Sequence, residues 1–361
     1  MRYELFETVR PRCPVCNTEQ LDSVLKLASI DQQESDQVIE GRLECPNGRC
    51  RREYPIIDGI PLIIRDLRHY LQNNASQLCM RSDLSTTTGS MLGDCLGPSS
   101  SFNTMRQQLS SYIWDHYGEF DPEEICNDHA PKPGALARLL NDTLESAELN
   151  PVGSGPILDL GCGVGRTTFE LAARFNRPTL GIDLHFPMLQ VASHLTRSSE
   201  LRYARRSVGL VYQDRRFQVP FRRNAAVDFW ACDATALPFA RGLFSAAISF
   251  NVLDCVHSPI EMLMSLGAVL GEGAKCIVSS PYDWSESATT IESWLGGHSQ
   301  RGIDHGSSEL VVRRLLEEGS PDRIPGLKLL SDANHPWQVR LHDRSYVNYQ
   351  THVCVIEKID H

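Results

Sequence analysis

The chain has 361 residues, 41% hydrophobic and 22% charged, with 12 cysteines and a formal net charge of −10. Such a composition is globular and the length suits about two domains of roughly 150 residues, while the negative balance argues against a general polyanion binder. No apolar run approaches the ~18 residues of a membrane span and no apolar signal core opens the sequence, so a cytoplasmic protein is expected. In a reducing compartment paired cysteines read as metal ligands or buried thiols before disulfides.

Residues 1–68 carry the first pattern. Cys13-Pro-Val-Cys16 and Cys45-Pro-Asn-Gly-Arg-Cys50 are C-x2-C and C-x4-C knuckles. Two knuckles can set four thiolates tetrahedrally around Zn2+ with no open position, so a structural metal is expected. A domain of about 60 residues needs such a staple. The next run, YPIIDGIPLII at 54–64, is strand-like. With the knuckles it resembles the small zinc-ribbon activator subunit of tRNA, rRNA and translation-factor methyltransferases, over about residues 10–66. It departs from that family in the x4 knuckle and a longer spacer. The resemblance implies a ribbon that docks on a methyltransferase and stabilises it, here within one chain. The segment holds 10 Lys and Arg against 12 Asp and Glu, a net of −2. Phosphate contacts need an excess of cations, which favours scaffolding over nucleic-acid reading.

Residues 69–104 are rich in Ser, Thr, Asn and Gly and poor in apolar periodicity, which predicts a linker or mobile loop. Residues 105–149 read as helical, with Leu136, Leu139, Leu140 and Leu144 at helix spacing. From residue 156 the pattern alternates. Strands are predicted at 157–160, 179–183, 227–231, 245–250, 276–280 and 351–357, and helices at 167–175, from 187, and at 260–270. Alternation of this kind implies a mostly parallel, doubly wound α/β sheet with helices on both faces.

The first strand runs into Asp159-Leu-Gly161-Cys-Gly163-Val-Gly165 before a helix. Glycines allow a tight turn and a close backbone approach to a ligand. Asp183 follows about 20 residues on at the end of the second strand, where an acid can bind ribose hydroxyls. Asp233, in ACDATALPF, ends the third. Three acids at three successive strand ends line the crevice where open α/β sheets bind ligands. These segments, ILDLGCGVG, LGIDLHFPML, ACDATALPF and SAAISFNVLDCV, resemble the class I S-adenosylmethionine-dependent methyltransferases and fall in that family's order. The resemblance implies a seven-stranded Rossmann-like sheet over 105–361. It implies that Asp159, Gly161, Gly163 and Gly165 hold the methionine part of the cofactor, and that Asp183, with Leu184 beside it, holds the ribose. Asp233 and Ala234 would take adenine, and Asn251 would sit beside the sulfonium. Cys162, Cys232 and Cys255 flank the site and read as small buried residues.

Residues 195–224 form an insertion with eight arginines (197, 202, 205, 206, 215, 216, 222 and 223) against two acids. Its alternation suggests a β-hairpin. It could be a solvated surface, a wall offering Arg to a carboxylate-bearing substrate, or an RNA contact. Beyond the fifth strand come SSPYDWSE and ESWLGG. With the insertion and His116-Tyr117-Gly118 these runs resemble the ovothiol-biosynthesis domain that N-methylates the imidazole of 4-mercaptohistidine. Tyr117, Tyr282, Trp284 and Trp294 are the acceptor-binding candidates, and Asp254, His257, Tyr282 and Asp283 the candidates for proton handling. The expected activity is methyl transfer to a small amino-acid or imidazole-type metabolite. The alternatives are an RNA base methyltransferase carrying a four-cysteine zinc module, and a non-catalytic subunit that activates another methyltransferase.

Overall fold

The computed structural model describes residues 1–79, 84–124, 131–221 and 226–360. At the N-terminus α1 (Tyr3–Val9) and α2 (Pro14–Thr18) precede an antiparallel meander of β1 (Lys26–Glu34), β2 (Gln37–Glu44), β3 (Glu53–Ile57) and β4 (Ile60–Ile63). Asp58 and Gly59, at φ 54° and 82°, make the turn between β3 and β4. Asp-Gly suits a two-residue hairpin that needs positive φ at both positions.

Helices α3 (Leu67–Leu78), α4 (Thr86–Leu96), α5 (Ser101–Tyr117) and α6 (Ala135–Ser146) follow. The expected linker at 69–104 is therefore largely helical; its residues 80–83 lie outside the described residues. Capping explains the difference. The side chains of Asp66, Ser85 and Ser100 accept from the backbone N–H groups of His69, Thr88 and Asn103 and so start three helices. In α3 only Tyr70 is buried, so the segment carries little apolar periodicity to read.

The remaining elements are β5 (Ile157–Leu160), α7 (Arg166–Phe175), β6 (Thr179–Asp183), α8 (Phe186–Arg197), β7 (Glu200–Val208), β8 (Val211–Gln218) and β9 (Val227–Cys232). After them come β10 (Ala246–Phe250), α9 (Pro259–Val269), β11 (Lys275–Ser280), α10 (Ser308–Leu316), β12 (Leu327–His342) and β13 (Ser345–Lys358). All four residues of β5 are buried, as befits a strand covered on both faces. The predicted hairpin in the insertion is β7–β8, a separate two-stranded sheet.

Among the described residues one sheet of eleven strands runs β1-β2-β3-β4-β9-β6-β5-β10-β11-β13-β12. The seven-stranded sheet was expected over 105–361, with a small N-terminal domain beside it. Seven of the eleven strands come from the C-terminal part, and the four N-terminal strands prolong them. Leu62 and Ile63 of β4 pair in parallel with Ala231 and Cys232 of β9. The run Ile60–Ile63 is wholly buried because both faces are covered: Ile60 and Leu62 pack into one core cluster and Ile63 into another. The apolar core is continuous across the join: Leu5, Phe6, Leu43 and Tyr54 belong to the same buried cluster as Trp230, Phe239 and Leu263.

β12 did not read as a strand, because Pro336 and polar residues interrupt it. It lies at the sheet edge, where a proline costs no ladder bond to a further strand. β11 pairs with β13 only from His352 to Glu357. Residues beyond that span, such as the Trp337–Tyr349 pair, belong to a β12–β13 hairpin that reaches past the strand ends.

Candidate active site

Strands β9, β6, β5, β10 and β11 are parallel, so their C-terminal ends lie along one rim. The strand order reverses between β5 and β10, the place where open α/β sheets form a crevice. After β5 the N–H groups of Gly161 and Cys162 donate to the Ile182 carbonyl at 2.8 and 3.0 Å. Gly161 has φ 80°, and a Cβ there would collide with Val252 Cγ2. At Gly165 a Cβ would lie 2.7 Å from the Phe229 ring. Only glycine fits either position.

Asp159 is 2% exposed. Its carboxylate accepts from the hydroxyls of Thr167 and Thr168, both at 2.6 Å, and burial pushes its pKa up to about 6. It therefore braces the first turn of α7 under the glycine loop. Asp183 sits above, accepting from Gly163 N at 2.9 Å and His185 N at 2.8 Å. Leu184 is exposed, and its carbonyl accepts from the Tyr70 hydroxyl of α3 at 2.7 Å. Asp233 accepts from the N–H and hydroxyl of Thr235 at 2.9 and 2.7 Å, and Ala234 is buried beside it. Asn251 follows β10 at φ 57°. Its Oδ1 accepts from Ser279 Oγ at 3.0 Å and Thr351 Oγ1 at 2.7 Å, while its Nδ2 has no partner among the described residues.

A cleft of about 360 Å³ opens from Asn251. One wall is the stripe Thr104, Gln108, Ser111, Tyr112 and Asp115 of α5; the other is Trp337, Val339 and Leu341 of β12 with Tyr349 of β13. Asp254, Cys255, Pro281 and Asp283 close the end at the strand rim, and Arg206 of β7 enters from the side. Asp254 accepts from Asp283 N at 2.7 Å, and burial pushes its carboxyl up. Asp115 accepts from Ala135 N, Leu136 N and Trp337 Nε1. Its burial outweighs these bonds and raises its pKa to about 6.

The cleft brings Asn251, Asp254 and Asp283 together and leaves the other acceptor-side candidates elsewhere. Tyr117 is fully buried, with its hydroxyl on the Val164 carbonyl at 2.7 Å. The Tyr282 hydroxyl meets His352 Nδ1 at 2.7 Å, and His352 in turn meets Asp332 at 2.7 Å. Trp284 and Trp294 stack on each other at 5.9 Å and spend their indole N–H groups on Ser308 and the Thr289 carbonyl. This aromatic group packs towards α10, away from the cleft. His257 is exposed beside Glu261 and Thr235. Sequence reasoning missed Tyr112, Asp115, Arg206 as a cleft residue, Trp337 and Tyr349. The polar positions 104, 108, 111 and 115 recur at helical spacing, which is the signal that could have marked this face of α5.

The insertion's arginines are mostly engaged. Arg202 pairs with Asp214, Arg205 with Glu124 and Asp343, and Arg215 with Glu123, all within 3.0 Å. Arg197 and Arg216 stand 3.7 Å from Glu34 and Glu200. Arg222 and Arg223 lie outside the described residues.

In the N-terminal module the Sγ atoms of Cys13, Cys16, Cys45 and Cys50 all lie within 4.8 Å of one another. Zinc–sulfur bonds of about 2.3 Å in a tetrahedron put sulfurs about 3.8 Å apart. The pairs Cys13–Cys50 at 3.7 Å and Cys16–Cys45 at 3.6 Å fit that spacing. Tyr54, Ser23 and Asn47 place polar groups at 3.2, 3.1 and 3.4 Å from three of the sulfurs, as outer-sphere partners of thiolate ligands do.

Residues 158–278 match the family model described as a methyltransferase domain. Among curated proteins, phosphoethanolamine N-methyltransferase 1 of Triticum aestivum is 24% identical over 169 residues, 46% of this chain and 28% of that protein. The chain thus spans under a third of that relative's length. Among solved structures, phosphoethanolamine N-methyltransferase 2 of Haemonchus contortus in complex with S-adenosyl-L-methionine is 19% identical with a TM-score of 0.33, covering 48% of this chain and 35% of that one. A SAM-dependent methyltransferase from Methanosarcina mazei is 18% identical with a TM-score of 0.39, covering 59% and 96%. The matched span holds Asp159, the glycine loop, Asp183, Asp233 and Asn251, so the part of the chain that carries these residues is the part similar to a methyltransferase domain.

Proposed function

We propose, from the methyltransferase domain over residues 158–278, that the chain transfers a methyl group from S-adenosylmethionine to a small amino-acid or imidazole-type metabolite. N-methylation of a 4-mercaptohistidine-like acceptor is the preferred single case. Residues 1–68 are then a structural zinc ribbon held by Cys13, Cys16, Cys45 and Cys50 and serving the same chain. The observation that carries the reading is the row of Asp233, Asp183 and Asn251 at the ends of β9, β6 and β10, with the glycine loop of β5 between the last two and a cleft opening at Asn251.

Bound S-adenosylmethionine supplies an electrophilic methyl group on a sulfonium sulfur. The chain's own task is positioning. Asp183 is set to hold the ribose hydroxyls, Asp233 and Ala234 the adenine, and the backbone of the glycine loop the methionine part. An acceptor nitrogen that arrives protonated must lose its proton before attack. We assign that step to Asp254, a reading supported by its place in the cleft, its carboxyl raised by burial and its bond from Asp283 N. The RNA alternative leaned on the arginine-rich insertion, but five of its six described arginines face acids of the same chain. Among the described residues little free positive charge is left there for phosphates.

Titration calorimetry of the zinc-loaded chain with S-adenosylhomocysteine tests the cofactor assignment. Binding is expected, and Asp183→Ala should weaken it at least about tenfold, the loss of one charge-assisted pair of hydrogen bonds. Undiminished affinity in the variant would overturn the assignment. A product assay with 4-mercaptohistidine then tests the acceptor.

A further inference from the structure

Arg206 differs from the insertion's other described arginines. Among the described residues it is the one of the six with no carboxylate within 4.0 Å, and it is the one that lines the cleft. Its backbone is clamped from two sides: its N–H donates to Ser110 Oγ of α5 at 2.8 Å, and its carbonyl accepts from Arg340 Nη2 of β12 at 2.6 Å. Nε donates to the Gly209 carbonyl at 2.8 Å and Nη1 to Gln107 Oε1 at 3.1 Å. Nη2 makes no hydrogen bond among the described residues. The guanidinium is thus oriented by neutral acceptors with its charge unmatched, an arrangement suited to a planar or tetrahedral oxyanion.

The far end of the same cleft has the opposite character. Trp337 Nε1 donates to Asp115 at 3.4 Å, and the Trp337 ring stacks on Tyr349 at 5.5 Å. The Tyr349 hydroxyl donates to Asp283 at 3.0 Å, and Asp283 N donates to Asp254 at 2.7 Å. Three carboxyl groups joined through two aromatic faces form an arc suited to a nitrogen cation. Gln107, which orients Arg206, and Asp115 are eight residues apart on one helix, about 12 Å along its axis. The long arginine side chain shortens the gap between the two charged ends.

We propose that Arg206 is the anion-recognising residue of this cleft and that the methyl acceptor is a zwitterion. Its carboxylate or phosphate lies at Arg206, and its nitrogen lies among Asp115, Asp254, Asp283, Trp337 and Tyr349, on the side of Asn251. The inference rests on the reading of this cleft as the acceptor site of a methyltransferase. No other described arginine of the insertion serves this role, since each is matched by an acid.

The experiment saturates the full, zinc-loaded chain with S-adenosylhomocysteine. It is then titrated with L-histidine and with phosphoethanolamine, and with their anion-free counterparts histamine and ethanolamine. At least one anion-bearing probe should bind about tenfold tighter than its counterpart, as expected of a charge-assisted contact. The histidine pair reports a carboxylate and the phosphoethanolamine pair a phosphate. Arg206→Gln should erase the preference and Arg206→Lys should keep part of it, with S-adenosylhomocysteine affinity and melting temperature unchanged in both. If neither anion-bearing probe binds more tightly than its counterpart, or none binds, or the preference survives Arg206→Gln, the proposal is overturned. If S-adenosylhomocysteine itself does not bind, the cofactor assignment fails first and takes this inference with it.

Discussion

The carboxylate of Asp183 is fixed by two backbone amides, Gly163 and His185, so its orientation costs little when a ligand arrives. Such pre-organisation depends on the glycine loop keeping its shape. Gly161→Ala places a methyl group against Val252 at a φ of 80°. The strain should cost roughly 1–3 kcal/mol, read as a lower melting temperature together with weaker S-adenosylhomocysteine binding. A melting temperature equal to that of the unsubstituted chain would contradict the strain argument. His116, close to Gly163, offers a pH test. Burial, with the Arg166 charge nearby, lowers its pKa from 6.5 to about 3. Between those values the unfolded chain binds a proton that the folded chain refuses. The stability contributed by neutral His116 is therefore present above pH 6.5 and is lost as pH falls towards 3. His116→Gln should flatten that acid limb by up to one proton, about 1.4 kcal/mol per pH unit, in melts taken between pH 7 and pH 4. An unchanged slope would mean that His116 titrates normally.

The units β5–α7 and β6–α8 were legible because each carries its own punctuation: a short apolar run, an acid or glycine at its end, then helical periodicity. The cleft wall was not. β12 reads as broken at Pro336, and only its place at the sheet edge makes that residue harmless. Tyr282, Trp284 and Trp294 looked like a substrate platform, since the loop after β11 leaves the sheet at the ligand end. Their rings instead stack in a row packed towards α10, and the hydroxyl of Tyr282 is spent on His352. Nothing in the one-dimensional pattern separates an aromatic that faces a cleft from one that faces a helix. The β12–β13 hairpin supplies the aromatic wall, so Trp337→Ala should raise the acceptor's KM about tenfold through lost ring contact. S-adenosylhomocysteine affinity should stay as it was. An unaltered KM would remove the hairpin from the acceptor site.

The eleven strands form one hydrogen-bonded sheet over a core shared by both ends of the chain. Melting should accordingly show a single transition, with the four-cysteine module and the C-terminal sheet unfolding together. Removing zinc with a chelator, or Cys45→Ser, should lower that one transition by roughly 5 °C or more, since metal affinity counts as folding energy in such modules. S-adenosylhomocysteine affinity per folded chain should be kept at low temperature. Two separate transitions, with the upper one indifferent to chelator, would show that the parallel pair Leu62–Ala231 does not couple the halves.

The same β4–β9 pairing fixes a ratio. A stabilising ribbon made as its own chain is divided by mass action among whatever enzymes compete for it, so each enzyme's amount depends on the others. Here the strands of the four-cysteine module belong to the same sheet as β9, at an effective concentration set by the chain itself. One cysteine module is made for each copy of the C-terminal sheet.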